Sequence, residues 1–130
     1  MRYLGIDYGT KRVGIALSDE GGMMAFPKGV IKNTATLVDD IAYLCDEESV
    51  AGVVIGESNK LDGTPNPLMK QIEEFIATWK AHTEIPISLV PEFFTSHQAQ
   101  QVTGKNDMID ASAAALILQS FLDREASKKN

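Results

Sequence analysis

The feature that most restricts the fold of this chain is the order of its apolar segments. Some of them have the spacing of strands and others the spacing of helices. Three short apolar runs come first, separated by Gly-containing turns, a pattern typical of an antiparallel meander of strands. Helical spacing then alternates with continuous apolar runs, which is typical of parallel strands joined through helices. The predicted strands are 2–7, 13–18, 23–31, 51–56 and 86–90, and the predicted helices are 36–48, 67–81, 95–103 and 110–123. The sequence therefore predicts an α/β fold with a mixed five-stranded sheet, in which the first three strands are antiparallel and the last two parallel, and helices on both faces.

Several single residues refine this pattern. Pro27 inside the third run predicts an edge strand or a bulge, because proline cannot donate to a sheet ladder. Met23, Met24 and Trp79 are apolar and are predicted to lie in the core. Cys45, the one cysteine in the sequence, lies in a helical pattern and is predicted to be a small core residue.

Length and composition place the chain among globular proteins. With 130 residues, 44% hydrophobic and 23% charged, residues 1–130 are expected to form a single domain. No apolar stretch is long enough to span a membrane, and no signal peptide is recognised, so a cytoplasmic location without a membrane partner is expected. The formal net charge of −6 is mild evidence against avid nucleic-acid binding. It does not exclude a nuclease, since bound cations offset clustered carboxylates.

Three carboxylates follow predicted strand ends or open a helix. Asp7 ends the first strand, Glu92 follows the last strand, and Asp110 precedes the final helix. Each has a plain structural alternative: a turn residue, a solvated loop residue and a helix N-cap, respectively. Because the carboxyl ends of parallel strands meet at one edge of a sheet, the three together indicate a site there.

Carboxylates gathered in this way repel one another, and a divalent cation relieves the repulsion. Oxygen ligands without a His or Cys cluster suit Mg²⁺ or Mn²⁺. Two such ions about 4 Å apart can promote phosphodiester hydrolysis. The turn after Asp7 would bring Lys11 and Arg12 near the phosphate.

Other polar residues predicted near the same edge could assist in binding or catalysis. Lys60 and Lys105 lie in predicted loops and could position phosphate. His97 could orient or deprotonate the attacking water, although a surface position is the plainer reading.

"LGIDYGTKRVGIALSD" near the start and "DASAAALILQSFLD" at 110–123 resemble the YqgF/RuvX-like family. That resemblance implies a ribonuclease H-like fold and a metal-dependent nuclease with an acidic triad at Asp7, Glu92 and Asp110. It also implies a phosphate-binding turn at Thr10, Lys11 and Arg12. The expected function is processing of the 5′ end of the 16S ribosomal RNA precursor. Holliday-junction resolution in DNA repair is the alternative.

Two further hypotheses stay open at this stage. The segment "PEFFTS" at 91–96 and the acidic net charge favour a catalytically weakened member that binds nucleic acid without cutting it. The Asp-x-Gly-Thr opening also occurs in actin-like ATPases and sugar kinases, although a chain of this length is short for their two domains. The expected partners are precursor ribosomal RNA or branched DNA and ribosomal assembly intermediates, and the protein is expected to be a monomer or weak homodimer.

Overall fold

The computed structural model describes residues 1–58, 67–91 and 107–128, and in the last segment it describes the side chains from Ala111 onward. These residues form five strands and three helices. In chain order they are β1 (Arg2–Asp7), β2 (Arg12–Ser18), β3 (Ala25–Lys32), α1 (Leu37–Glu47), β4 (Val50–Gly56), α2 (Pro67–His82), β5 (Ile87–Val90) and α3 (Asp107–Lys128).

The five strands form one mixed sheet with the order β3-β2-β1-β4-β5. The pairs β1–β2 and β2–β3 are antiparallel, whereas β1–β4 and β4–β5 are parallel. The predicted sheet is therefore confirmed. The edge position of β3 and a register shift opposite Ile15 and Ala16, where Gly29 and Pro27 pair with them, confirm what Pro27 indicated.

The two faces of the sheet are covered by different helices. On one face, α1 and α2 pack large side chains such as Ile41, Ile72 and Trp79 against Leu4 and Ile6 of β1. The indole N–H of Trp79 donates to the carbonyl of Ile85 at 2.9 Å, so this buried donor is satisfied. The face covered by α1 and α2 is called the aromatic face below.

On the other face, α3 packs alanines and a few aliphatic side chains against Ala16, Val54 and Val90. On this face, the helix packs unusually close to the backbone of the sheet. A Cβ atom added to Gly5 would lie 2.7 Å from Leu118 Cβ, and one added to Gly56 would lie 2.7 Å from Ile117 Cδ1. Glycine in β1 and β4 therefore permits the close approach of α3. This face is called the glycine face below.

Several details differ from the sequence prediction. The last helix begins at Asp107, so Asp110 lies in its first turn and is not the N-cap, and the helix continues to Lys128 instead of ending near 123. Met23 and Met24 are 64% and 54% exposed, so their assignment to the core is wrong. They lie in the turn before β3, where sheet geometry and not residue type decides exposure.

The predictions for two core residues are confirmed. Trp79 and Cys45 are buried. Desolvation, with a smaller contribution from the charge of Asp46, raises the pKa of the Cys45 thiol from its ordinary value of 9.0 to about 12. The predicted helix at 95–103 lies outside the described residues. Among the helices that are described, none is long and apolar enough to cross a membrane.

Candidate functional site

Asp7 is positioned by strand β1 and by the tight turn that follows it. It is the last residue of β1 and pairs with Gly14 of β2, so the chain turns through residues 8–11. A Cβ atom on Gly9 would lie 2.4 Å from the carbonyl oxygen of Arg12, a distance that no other residue tolerates. The close approach within the turn therefore requires glycine at position 9.

The alternation of side chains along β1 sets the face on which Asp7 lies. Gly5 contacts α3, Ile6 belongs to the opposite core cluster, and Asp7 follows on the same face as Gly5. Gly14 is its partner on β2, and Gly56 follows the Ile6–Ile55 pair on β4. The half-buried Asp7 thus stands on the glycine face with no side chain from either neighbouring position.

The direction of α3 determines which end of the helix is near Asp7. Gly5 approaches Leu118 and the carbonyl of Ala114, whereas Tyr3 packs its ring against Phe121 with 5.3 Å between centroids. Earlier residues of β1 thus contact later residues of α3, so the helix runs antiparallel to the strand. Its first turn is therefore directed toward the end of the sheet where β1 ends.

That first turn of α3 contains Asp110. Glu92, Lys60, Lys105, His97 and the side chain of Asp110 lie outside what the structure describes. Within the described residues, no three His, Cys, Asp or Glu side chains are grouped closely enough to hold a metal ion. The predicted ligand triad consequently stays a prediction, with Asp7 located and Asp110 placed by its backbone.

A second described carboxylate stands at the same end of the sheet. Glu57 follows β4 directly, and its backbone N–H donates to the carbonyl of Val90 at 2.8 Å. The sequence prediction did not consider Glu57 as a ligand. Because Gly56 lies on the glycine face, alternation places Glu57 on the aromatic face, so its position after β4 does not put it beside Asp7.

The basic residues beside Asp7 lie in the turn and on the two strands that follow it. Thr10 and Lys11 are exposed, and Arg12 is half-buried. Arg12 is directly opposite Lys32 of β3, so the two side chains lie on one face, about 5 Å apart at Cβ. Because Val13 belongs to the aromatic-face cluster, alternation places Arg12 and Lys32 on the glycine face with Asp7.

Asn33 holds the turn from the side of β3. Its side-chain amide donates to the carbonyl of Gly9 at 2.8 Å, and its backbone N–H donates to the carbonyl of Lys11 at 3.0 Å. Neither Lys32 nor Asn33 was found by reasoning from the sequence. Their relation to the turn depends on the register of β3, which composition does not reveal.

Two solved resolvases share the fold of this chain. The structure of Thermus thermophilus RuvC in complex with a Holliday junction substrate matches with a TM-score of 0.61 at 13% identity, covering 97% of this chain and 96% of that one. The fowlpox virus resolvase in complex with its Holliday junction matches with a TM-score of 0.57 at 11% identity, covering 96% and 99%. The fold is thus the ribonuclease H-like fold of RuvC-type resolvases.

Sequence comparison identifies the family. A family model described as "RuvX: Holliday junction resolvase" matches residues 1–124, and this chain belongs to that family. A relative from Nitratidesulfovibrio vulgaris, named "Putative pre-16S rRNA nuclease", is 37% identical over 139 aligned residues, covering 99% of this chain and 98% of the relative. One from Oleidesulfovibrio alaskensis with the same name is 35% identical, covering 95% and 92%.

Proposed function

We propose that this protein is a metal-dependent nuclease that hydrolyses phosphodiester bonds in structured nucleic acid at the Asp7 end of its sheet. Membership of the RuvX family and the names of the relatives support nuclease activity. The observation that carries the proposal is the position of Asp7 on the glycine face, toward which the first turn of α3 is directed. Glu92 and Asp110 complete the proposed acidic triad.

The donor set fits Mg²⁺ or Mn²⁺. Asp7 offers carboxylate oxygens, the ligands that these hard cations prefer, and its neighbour on β2, Gly14, contributes no side chain. Asp7, Glu92 and Asp110 would hold the metal, in a site of the two-ion type. When bound, such ions promote attack by water and offset charge on the departing oxygen.

The basic residues would hold the nucleic-acid strand. Lys11, Arg12 and Lys32 would contact a phosphate, with Thr10 beside them and Lys60 and Lys105 as further candidates. Arg12 and Lys32 lie directly opposite one another on β2 and β3, so both could approach one phosphate. These residues would fix the strand while the acidic residues bring water to the scissile phosphate.

The 5′ end of the 16S ribosomal RNA precursor is the substrate that we propose first, because the curated relatives are named for it. A four-way DNA junction is the second candidate, since the family description names it. We further propose that residues 1–130 act as one domain in the cytoplasm, as a monomer or weak homodimer that meets ribosomal assembly intermediates.

Cleavage assays on both substrates test the proposal. The purified protein with Mg²⁺ or Mn²⁺ should cut a precursor 16S RNA or a four-way junction, and Asp7→Asn should abolish cutting with no change in the unfolding transition. Asp19→Asn is the matched control, because Asp19 follows β2 at the opposite end of the sheet and an amide oxygen can still accept from Met23 and Met24. Cutting by Asp7→Asn would refute the site. Binding by the wild type without cutting under either metal would favour the non-cleaving alternative.

A further inference from the structure

The turn that carries Lys11 is fastened at two places. On the aromatic face, the ring of Tyr8 packs against Phe75 with 5.8 Å between centroids. On the side of β3, Asn33 donates its side-chain amide to Gly9 and its backbone N–H to Lys11. The side-chain bond joins residues 24 positions apart in the chain, so it fixes the turn relative to β3.

A fixed turn matters because the long cation that it carries, Lys11, is exposed. Binding a phosphate with exposed Lys and Arg side chains requires those side chains and their backbone to become ordered, which weakens binding. A backbone that is already held in place reduces this loss. Asn33 immediately follows Lys32, so the same contact also sets the spacing between Lys32 and the turn.

From this geometry we infer that Asn33 is a positioning residue that fixes the Gly9 turn so that Lys11, Arg12 and Lys32 meet the same phosphodiester group of a nucleic-acid strand. Asn33 makes no contact with the substrate in this role. The inference rests on the proposed nuclease function and adds to it a residue that carries no charge and no metal ligand.

Gln119 offers a matched control within the same molecule. Its amide also fastens β3, since Oε1 accepts from the backbone of Ala25 at 2.8 Å and Nε2 donates to the carbonyl of Met23 at 3.0 Å. These hydrogen bonds lie at the other end of β3, away from the turn. Gln119→Ala and Asn33→Ala thus each remove an amide that bonds to backbone, but only Asn33→Ala removes the side-chain hydrogen bond to the Gly9 turn.

The salt dependence of nucleic-acid binding separates positioning from general stability. Dissociation constants for a precursor 16S RNA and a four-way junction are measured without divalent cation, so that nothing is cut, at several salt concentrations. Asn33→Ala should weaken binding about tenfold, and the slope of log affinity against log salt should fall by about 0.7 to 0.9, as expected when one phosphate is no longer neutralised. Because this substitution removes no charge, a smaller slope means that a neighbouring cation has moved away from its phosphate.

Two further variants complete the test. Gln119→Ala should leave the slope unchanged, and Asn33→Ala should weaken binding less in a Lys11→Ala background than in the wild type. The positioning role is overturned if Asn33→Ala keeps the wild-type slope, or if its effect adds fully to that of Lys11→Ala, while the wild type still binds and cuts. A wild type that neither binds nor cuts would overturn the proposed function and this inference together.

Discussion

The two faces of the sheet are packed in opposite ways. The aromatic face buries Trp79 and Phe75 together with aliphatic residues from two helices. The glycine face buries Ala114 and Ala115 together with Ile117, Leu118 and Leu122, all from a single helix, α3. The first face contributes large apolar area, whereas the second brings a helix backbone within contact distance of the strands.

The two kinds of packing have different consequences. One determines the stability of the fold, and the other determines the position of α3 relative to Asp7. Large side chains supply most of the hydrophobic free energy of a core, because that energy scales with the apolar area buried. Close approaches such as that of Gly5 to Leu118 leave no free space between helix and strand. The position of α3 relative to Asp7 is therefore fixed within narrow limits. We therefore expect the aromatic face to hold the fold together and the glycine face to hold the proposed site together.

Removing the largest buried side chain tests the first half of this comparison. Trp79→Ala removes a fully buried indole and its hydrogen bond to Ile85, and should lower the free energy of unfolding by about 3–5 kcal/mol. Urea denaturation measures this loss. Cleavage per folded molecule should change little, and a large drop in that quantity would contradict the separation of roles.

Adding one methyl group tests the second half. Gly5→Ala would place Cβ 2.7 Å from Leu118 Cβ and 2.9 Å from the carbonyl of Ala114, so α3 must shift. Unfolding free energy should fall by about 1–3 kcal/mol. Cleavage should fall on the order of 100-fold even where the protein is fully folded, because small displacements at a catalytic centre are expensive.

The control for that experiment is another glycine with space around it. At Gly21 the nearest atom to an added Cβ is Asp19 Oδ2, 3.6 Å away. Gly21→Ala should therefore change stability by no more than about 1 kcal/mol and leave cleavage intact. Equal activity in the Gly5→Ala and Gly21→Ala variants would show that the close packing of α3 does not control the site.

An effect confined to alkaline pH is expected at Cys45 on the aromatic face. Burial raises the pKa of this thiol to about 12, so the folded state keeps the proton that the unfolded state loses above its ordinary value of 9.0. Because the folded state then binds more protons, stability should fall as pH rises from 9.0 toward 12. Comparing the pH dependence of unfolding with that of Cys45→Ala isolates this contribution. An identical decline in both proteins, or rapid thiol labelling of the folded protein, would show that the core around Cys45 is open.

The smallest effect is expected where α1 and α2 meet at the surface. His82 Nε2 lies 3.0 Å from Asp39 Oδ1, but the two side chains are 45% and 65% exposed. Solvent screening should limit the effect of Asp39→Asn to about 0.5 kcal/mol at neutral pH. A larger loss in thermal unfolding would mean that this ion pair, and not the buried side chains, fastens the two helices.

The sequence was a good guide wherever spacing alone decides the structure. The apolar runs predicted all five described strands, and Pro27 indicated the edge strand. The sequence failed where tertiary context decides. Met23 and Met24 are apolar by type but lie on an exposed turn, and Asp107 begins a helix three residues before Asp110.

The basic part of the site shows this limit most clearly. Along β2 and β3, Ala16 pairs with Pro27 but Ile15 pairs with Gly29, so Lys28 is an extra residue in β3. Without that bulge, Ile31 would stand opposite Arg12 in place of Lys32. The bulge therefore decides which side chain joins the cations and where Asn33 meets the turn. Proline made a bulge foreseeable, but its position depends on the packed sheet.

A crystal structure of the protein soaked in Mn²⁺ tests the central claim most directly, because anomalous scattering locates that ion independently of the protein atoms. We predict a Mn²⁺ peak at the end of β1, with carboxylate oxygens of Asp7, Glu92 and Asp110 about 2.0–2.4 Å from bound ions. Asp7 and Asp110 lying farther apart than one coordination sphere, with no peak between them at saturating Mn²⁺, would contradict the proposed metal site and the cleavage mechanism built on it.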